Sequence, residues 1–347
     1  MALDHANLLV AQKHPPGEYW GGPFPTYSDA LAFLVRFVTH FSAPGFFLLM
    51  GIGMALFARS RQREGWGKVR TIVHFVVRGA VLMVLQILVV NRAWEMAPGG
   101  WGIRFYFGVL FALGSAMVVG SMLVWLRPTF LLVLTAALLI GAELLVPDPS
   151  LWGLGRSVPV LVHLVPGGIA HPDGGAWLWS NYQMIHWLEL ITLGLAFGHW
   201  LADDARQAYG RAWRLGLACL AAFVVVRGLD GFGNIRPRMG DSWIDVLNPV
   251  KYPPSIAFTL LTTGVNLVLL WLLSSVDKGV RRVLVPLVVF GQAPLFFYVL
   301  HLFVFVAMGH LFTPDGTSIQ EMFPFWLAGL AILYPLCLAF RRFKKRK

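Results

Sequence analysis

Nine apolar stretches, each about as long as a bilayer is thick, constrain this 347-residue chain more than any other feature. A helix needs about 20 mostly apolar residues to cross the hydrocarbon core of a membrane. Hydrophobic residues make up 57% of the chain and charged residues only 13%, against about 25% charged in soluble domains. We therefore predict an all-α, polytopic integral membrane helix bundle with about nine transmembrane helices. The predicted spans are 42–58, 71–90, 105–126, 129–146, 183–201, 212–227, 255–275, 283–309 and 323–340.

The chain is predicted to form one membrane domain with two flanking segments. Residues 1–41 are expected to be an outer N-terminal segment, in which 30–41 form an interfacial or half-inserted helix. Residues 42–340 are the predicted transmembrane domain, and residues 341–347 are a basic tail. We see no soluble-looking block between the apolar stretches that would indicate a second domain.

The net charge of +11 comes from basic residues in short loops and in the tail. Most of the 28 Lys and Arg residues fall in alternate loops, around 59–70, 206–214 and 278–282, and in 341–347. Because cytoplasmic loops retain Lys and Arg, this side is predicted to be cytoplasmic, with the C-terminus inside and the N-terminus outside. The same pattern argues against a nucleic-acid partner. Membrane lipid is the expected surrounding, and a homo-oligomer stays open.

Ionisable side chains inside the predicted spans are costly, so each one requires an explanation. His74 and Arg78 lie one turn apart and either snorkel to the interface or contact an anionic donor. Glu143 is interpreted as structural, because it lies near a helix end. His186 and Glu189 share a helix face, which is too short a pattern to establish an acid–base site. No Cys/His cluster has zinc spacing, so no metal is predicted.

The N-terminal segment carries the best candidates for a general base. Asp4 and His5 combine a carboxylate with an imidazole, and a carboxylate can raise imidazole basicity and fix its tautomer. Adjacent residues rarely face each other, however, and a disordered N-terminal tail is the alternative. His14 follows in the same outer segment. His301, in the predicted span 283–309, is either a core histidine or a site residue.

Several motifs resemble those of a family of bacterial polytopic membrane proteins related to the catalytic domain of heparan-alpha-glucosaminide N-acetyltransferase. The matching residues run from about 39 to 301 and so cover most of the chain. They are Thr39-His-Phe-Ser-Ala-Pro-Gly45, Trp187, Gly194, Gly198, Arg227, Gly240-Asp-Ser-Trp243, Val246-Leu-Asn-Pro-Val-Lys-Tyr-Pro-Pro-Ser255, Phe258-Thr-Leu-Leu-Thr-Thr-Gly264 and Phe290-Gly-Gln-Ala-Pro-Leu-Phe-Phe-Tyr-Val-Leu-His301.

The resemblance implies an enzyme of the bacterial inner membrane that moves an acyl group, acetyl in particular, from cytoplasmic acyl-CoA to a sugar-type acceptor outside. It implies that Asp4 and His5 end the family's first helix and that His5 is the catalytic base, with His14 as a second match. The Asp-x-Leu-Arg-Gly opening of that helix is absent, so the first family helix is expected to be missing from these residues. A chain that carries it would have ten spans. Gln292 stands where an arginine is usual.

The resemblance also implies two binding regions. Arg70 and Arg78 are expected to meet the phosphates of CoA. The acceptor side is expected to be lined by Arg227, Asn248, Lys251, Tyr252 and His301. Two other functions stay open: a transporter or exporter of a small polar or lipid-linked molecule, in which buried charges form a path, and a non-catalytic membrane scaffold. Consumption of acyl-CoA separates the enzyme from both.

The charge pattern makes a topological prediction. Cysteines introduced at Ser60 and Ser157 should react from opposite sides of the membrane, because the loop at 59–70 is basic and the loop around 157 is not. Labelling of intact cells with a membrane-impermeant maleimide measures this. Reaction of both cysteines from the same side would overturn the topology.

Overall fold

The computed structural model describes residues 1–15, 24–100, 103–146, 167–170 and 176–345; the labelling position Ser157 lies outside these ranges. Within them the chain is a helix bundle with one small sheet, so the predicted all-α polytopic fold is confirmed. The helices are α1 (Ala2–Ala6, continued by a π-helical turn at Asn7–Ala11), α2 (Ala30–His40), α3 (Ser42–Arg63), α4 (Lys68–Leu85, continued by a π-helical turn at Gln86–Val90), α5 (Asn91–Glu95), α6 (Val109–Leu123), α7 (Pro128–Leu144), α8 (Met184–Asp203), α9 (Ala205–Leu229), α10 (Trp243–Val246), α11 (Ile256–Ser274), α12 (Lys278–Val283), α13 (Val285–Gly291), α14 (Pro294–Phe312) and α15 (Ile319–Lys345).

Each predicted span overlaps one or more of these helices, although several boundaries differ. In the described part of the chain, six helical segments are long and apolar enough to cross a membrane, and α6 and α7 are shorter apolar helices. The largest boundary difference concerns the predicted span 212–227, which is the interior of the 25-residue α9. This helix begins two turns earlier because the Asp204 side chain accepts a hydrogen bond from the Gln207 backbone N–H and caps it.

The predicted span 283–309 is divided into separate helices. α13 ends at Gly291, Ala293 has a non-helical backbone (φ −131°, ψ 48°), and Pro294 is the first residue of α14. Proline lacks a backbone N–H and has a fixed φ, so it starts a helix more readily than it continues one. As a result, His301 belongs to a helix whose direction is set independently of α13.

A three-stranded sheet accompanies the helices. β1 (Ile103–Phe107) pairs in parallel with β3 (Ala176–Ser180), and β2 (Gly167–Ala170) pairs with β3 in the antiparallel direction. The strand order is β1-β3-β2. The sheet links the entry of α6 to the entry of α8, and sequence analysis did not predict it.

One close helix contact of the bundle joins α3 to α8. A Cβ placed on Gly51 would lie 2.4 Å from the carbonyl oxygen of Ile191, and one placed on Gly194 would lie 2.3 Å from that of Leu48. Glycine at both positions lets the two backbones touch, as small residues do between membrane helices. The rings of Phe47 and Trp187 stack beside this contact with centroids 4.9 Å apart.

The N-terminal helix is part of the core. Leu9 and Val10 are fully buried, and the Thr313 hydroxyl of the segment after α14 donates to the Val10 carbonyl oxygen at 2.9 Å. A Cβ on Gly309 of α14 would lie 2.2 Å from the Leu9 carbonyl oxygen. The alternative of a disordered N-terminal tail is therefore wrong for residues 2–11.

The α3–α8 contact makes a stability prediction. Gly51→Ala should lower the melting temperature in detergent, because the added methyl group meets the α8 backbone and overpacking costs about 1–3 kcal/mol. Gly53→Ala is the matched control, since no atom lies within 4 Å of a Cβ at that position. It should leave the melting temperature unchanged or raise it, because alanine favours a helix over glycine. Equal effects of the two substitutions would contradict the close packing.

Candidate active site

A buried ion pair fixes α1 against α2. The Arg36 guanidinium, only 1% exposed, donates to the Asp4 carboxylate, and the Thr39 hydroxyl donates to the same oxygen at 3.0 Å. Arg36 and Thr39 lie three residues apart on α2 and so share one face. The helix predicted at 30–41 is present as α2, and its charged residue is explained by this pair. Sequence analysis missed the role of Arg36. The signal in the sequence was Thr39, a polar residue that follows Arg36 by three positions in an apolar helix and so lies on the same face.

His14, rather than His5, lies beside the Asp4 carboxylate. The His14 Nε2 atom is 3.7 Å from Asp4 Oδ1, and its Nδ1 atom lies 3.0 Å from the Pro15 carbonyl oxygen. Asp4 and His5 are neighbours on a helix and point in different directions. As expected for adjacent residues, the Asp4 carboxylate does not face His5, and its charge acts on His5 only through space.

His5 is paired with His301 of α14. His5 Nδ1 and His301 Nε2 are 2.6 Å apart, and His301 Nδ1 lies 2.9 Å from the Phe297 carbonyl oxygen. A carbonyl oxygen only accepts, so His301 Nδ1 carries the proton and donates to it. In neutral His301 the Nε2 atom then accepts, and His5 Nδ1 must donate. This chain leaves the lone pair of neutral His5 on Nε2, where a general base needs it.

Aromatic side chains surround the two histidines. The Trp94 ring stands edge-on to His5 at a centroid distance of 5.4 Å, and the Tyr298 ring does so at 6.2 Å. His301 is fully buried, while His5 keeps partial exposure. Buried histidine in a low-dielectric setting interacts strongly with a neighbouring hydrogen-bond partner. The pair is therefore held rigidly with one histidine accessible.

Two cavities are each lined by a residue that contacts α1. An apolar cavity of about 370 Å³ is lined by Met1 and Tyr298, the second of which contacts His5, together with side chains of α3, α4 and α6. A polar cavity of about 480 Å³ is lined by His14, which contacts Asp4, and by residues at the starts of α2 and α15. Both volumes fall in the range of small-molecule sites, about 300–1,000 Å³. His5 therefore contacts a residue that lines the apolar cavity, and Asp4 contacts a residue that lines the polar one.

A basic face of α4 leads towards the apolar cavity. Arg70, His74, Arg78 and Leu82 follow one another at four-residue spacing, and Leu82 lines the cavity. The Arg78 Nη1 atom lies 3.4 Å from His74 Nε2. The two arginines predicted to meet CoA phosphates therefore lie on one helix face, which runs to a wall of the space beside His5.

The basic face begins at an aromatic cluster that sequence analysis missed. The Arg70 guanidinium lies 4.0 Å from the ring centroid of Trp66, and Arg61 lies 5.4 Å from the same ring. His74 stacks on Phe57 of α3 at 4.6 Å. The signal was present in the sequence, because Trp66 stands in the middle of the most basic loop. Arginine and aromatic side chains together can hold a flat anionic ligand.

Arg227 has a structural role in the fold. Its guanidinium donates to the carbonyl oxygens of Val246, Asp245 and Asn248 at 3.0, 2.7 and 3.1 Å. It also donates to the Asn234 side chain at 2.9 Å. These bonds hold the loop before α11 against the end of α9. The contact of Arg227 with an acceptor stays a prediction. In the structure, Arg227 holds Asn248 in place through its carbonyl oxygen.

The motif around Lys251 folds into a buried turn before α11. Asn248 donates to the Pro25 carbonyl oxygen at 3.2 Å, and the Tyr252 hydroxyl donates to the Tyr182 hydroxyl at 3.0 Å. The Lys251 ammonium group lies 4.8 Å from the Tyr252 ring centroid and also attracts the Asp4 carboxylate. Among the residues of this motif, Lys251 is thus the one whose charge acts on Asp4 of α1.

Half-buried Glu143 and the buried Glu189 and His186 lie at helix contacts. Glu143 accepts hydrogen bonds from the backbone N–H groups of Ile235 and Ile256 at 3.2 and 2.8 Å, which fits its structural interpretation. Glu189 accepts from the Thr259 hydroxyl at 2.8 Å. His186 is 2% exposed on the same helix as Glu189. Among the described residues, the hydrogen bond of Glu189 leads to α11 and not to Asp4 or His5 of α1.

A family model described as heparan-alpha-glucosaminide N-acetyltransferase, catalytic, matches residues 24–228, which is more than half of the chain. No curated protein sequence matches the chain significantly. The matched range includes Arg36 and Arg78, whereas His5 and His301 lie outside it. The pairing of His5 with His301 is therefore observed in the structure and does not depend on the family match.

Proposed function

Since the chain belongs to the family of heparan-alpha-glucosaminide N-acetyltransferase catalytic domains, we propose that it is a membrane acyltransferase of the bacterial inner membrane. It would move an acyl group, acetyl in particular, from cytoplasmic acyl-CoA to a sugar-type acceptor on the outer side. The observation that carries the proposal is the hydrogen-bonded series from His5 through His301 to the Phe297 carbonyl oxygen. It gives a partly exposed histidine a defined tautomer beside Tyr298, which lines the apolar cavity.

The proposed reaction uses His5 as a general base. Its Nε2 atom takes the proton of an acceptor hydroxyl or amine while the acceptor atom attacks the thioester carbonyl carbon. The new bond to the acceptor forms, the carbon–sulfur bond breaks, and the CoA thiolate takes the proton back from His5. The imidazolium formed on the way is stabilised by His301 Nε2, which accepts from His5 Nδ1, and by the nearby Asp4 charge. His14 is the second candidate base, because it lies beside Asp4.

The proposed donor lies along the basic face of α4. Acyl-CoA combines phosphates, a nucleotide ring and a narrow arm that ends in the thioester. Arg70 and Arg78 would meet the phosphates, with the Trp66 ring beside them. From Arg70 to Leu82 the helix rises about 18 Å, at 1.5 Å per residue. An extended arm could follow this face to the apolar cavity next to Tyr298 and His5.

The histidines supply the first test. His5→Ala should reduce acyl-CoA turnover by about 10²- to 10⁴-fold, the usual contribution of a general base. His14→Ala should keep most of the activity, and the two results should exchange if His14 is the base. Purified protein in nanodiscs is assayed for release of free CoA thiol with a panel of sugars.

Folding of each histidine variant is checked by its melting temperature and elution volume. The proposal of acyl transfer is refuted if wild-type protein releases no thiol with any acceptor. It is likewise refuted if both variants match the wild type. Transport of a small polar molecule across sealed vesicles, without covalent change, would then be the function to measure.

The arginines supply the second test. Replacing Arg70 and Arg78 together by Gln should weaken acetyl-CoA binding by about 1.5–3 kcal/mol for each charged hydrogen bond lost. The apparent acceptor affinity should stay the same. The matched control is Arg63→Gln with Arg214→Gln, two exposed arginines towards the predicted cytoplasmic ends of α3 and α9. Isothermal titration with acetyl-CoA measures the difference. Equal affinity of both double variants would remove Arg70 and Arg78 from the donor site.

A further inference from the structure

We infer that the apolar cavity beside Tyr298 holds the hydrocarbon chain of the acyl donor, and that this chain is a medium-length fatty acyl group rather than acetyl. The inference rests on the proposed acyl transfer and names the donor class of that same site. The bond changes stay the same. The acyl carbon–sulfur bond breaks, the bond from the acyl carbon to the acceptor forms, and the acceptor proton passes through His5 to the thiolate.

The apolar cavity is larger than an acetyl group requires. Its volume is about 370 Å³. A water molecule takes about 30 Å³ in the liquid and a methylene group has a similar size, so the space holds roughly a dozen such groups. An acetyl group carries a single methyl and would leave most of the lining without contacts. A chain of roughly eight to twelve carbons matches the volume.

The lining of the apolar cavity matches hydrocarbon. Among the described residues that line it, Tyr298 is the one with a polar side chain, and the others are aliphatic, phenylalanine, methionine, proline or glycine residues. Water needs two to four polar partners in a buried site, and this lining offers few. The amide groups of the CoA arm would lose hydrogen bonds there, which costs free energy. A fatty acyl chain has no hydrogen bonds to lose.

A glycine contact fixes two walls of the apolar cavity. A Cβ on Gly79 of α4 would lie 2.5 Å from the Gly114 carbonyl oxygen of α6, so the two helices touch there. Leu82 follows Gly79 by three residues, Leu113 directly precedes Gly114, and both leucines line the cavity. The relative position of these walls is therefore set by the backbones. The space is preformed, as small-molecule sites usually are.

The break between α13 and α14 forms another wall. Gly291 ends α13, Pro294 begins α14, and both line the cavity. Tyr298 lies one turn after Pro294 and also lines it. The Tyr298 ring stands edge-on to His5 at a centroid distance of 6.2 Å. This end of the cavity is therefore the end next to the proposed base.

The apolar cavity continues the proposed path of the donor. Leu82 lines the cavity and ends the four-residue series that starts at Arg70 and passes Arg78. CoA phosphates at these arginines would place the thioester at the end of the series, beside Tyr298 and His5. The hydrocarbon chain beyond the thioester carbonyl then enters the cavity between α3 and α6. This continuity favours the acyl chain of the donor over an unrelated membrane lipid as the occupant.

A bulky side chain in the cavity tests the inference. Leu49 of α3 lines the cavity and is 50% exposed, so Leu49→Trp can add a ring without disturbing a fully buried position. Leu217→Trp on α9 is the matched control, because Leu217 is 43% exposed and is not among the residues that line the cavity. Leu49→Phe is a milder second variant, in case the first fails to fold by melting temperature.

Acetyl-CoA and octanoyl-CoA are the two probes. Their binding to each protein in nanodiscs is measured by isothermal titration, and thiol release with the panel of sugars is measured on the same samples. Partition of octanoyl-CoA into the nanodisc lipid is the same for every variant. The ratio of each variant to the wild type at one chain length therefore reports the cavity alone.

The wild type is expected to bind octanoyl-CoA at least about tenfold more tightly than acetyl-CoA, because burial of each methylene group is favourable. Leu49→Trp should weaken octanoyl-CoA binding about tenfold or more, about 1.4 kcal/mol, and leave acetyl-CoA binding unchanged. Leu49→Phe should have a smaller effect in the same direction. Leu217→Trp should match the wild type with both probes.

Two outcomes would overturn the inference while acyl transfer stands. One is thiol release from acetyl-CoA by a wild type that does not bind octanoyl-CoA more tightly. The other is octanoyl-CoA binding that Leu49→Trp leaves unchanged or weakens no more than acetyl-CoA binding, as expected if a membrane lipid fills the cavity. Octanoyl-CoA binding that Leu49→Trp blocks, in a wild type that releases thiol from neither probe, would support the cavity and refute acyl transfer.

Discussion

The ion pair between Arg36 and Asp4 holds the rest of the site in place. A charged side chain inside a membrane protein is costly and persists where a partner compensates it. Here the Arg36 guanidinium and the Thr39 hydroxyl both donate to the Asp4 carboxylate, and Lys251 attracts it as well. The pair fixes the rotation of α1 about its own axis. With that rotation set, His5 faces α14 and meets His301.

Other polar groups of the bundle serve as connections between helices and loops. Arg227 holds the loop before α11 through three backbone carbonyl oxygens, and Glu143 receives the first backbone N–H of α11. Glu189 accepts a hydrogen bond from Thr259 across two helices. Without a partner in lipid, each of these polar groups would cost free energy. Their pairing therefore favours one arrangement of the helices over others.

The division between two cavities follows from the same construction. α1 enters the core beside α14, and close approach at Gly309 leaves no room for a ligand between the two helices. Space is left where α14 faces α3, α4 and α6, and where the starts of α2 and α15 meet the chain after α1. The first space is lined by apolar side chains because it lies among membrane helices, and the second by polar ones because it lies at their ends.

The sequence by itself determined the fold class, because the apolar stretches leave few alternatives to a helix bundle in lipid. It also pointed to His5, His14 and Arg78 as residues needing an explanation, and to the family through motifs spread along the chain. Only the tertiary structure decided that Asp4 pairs with Arg36 and that His5 pairs with His301, 296 residues away. Helix periodicity fixes which residues share a face of one helix, but it carries no information on which faces of distant helices meet. Which faces meet depends on the glycine contacts, on the break before Pro294 and on the buried charges, each of which needs a partner of opposite sign.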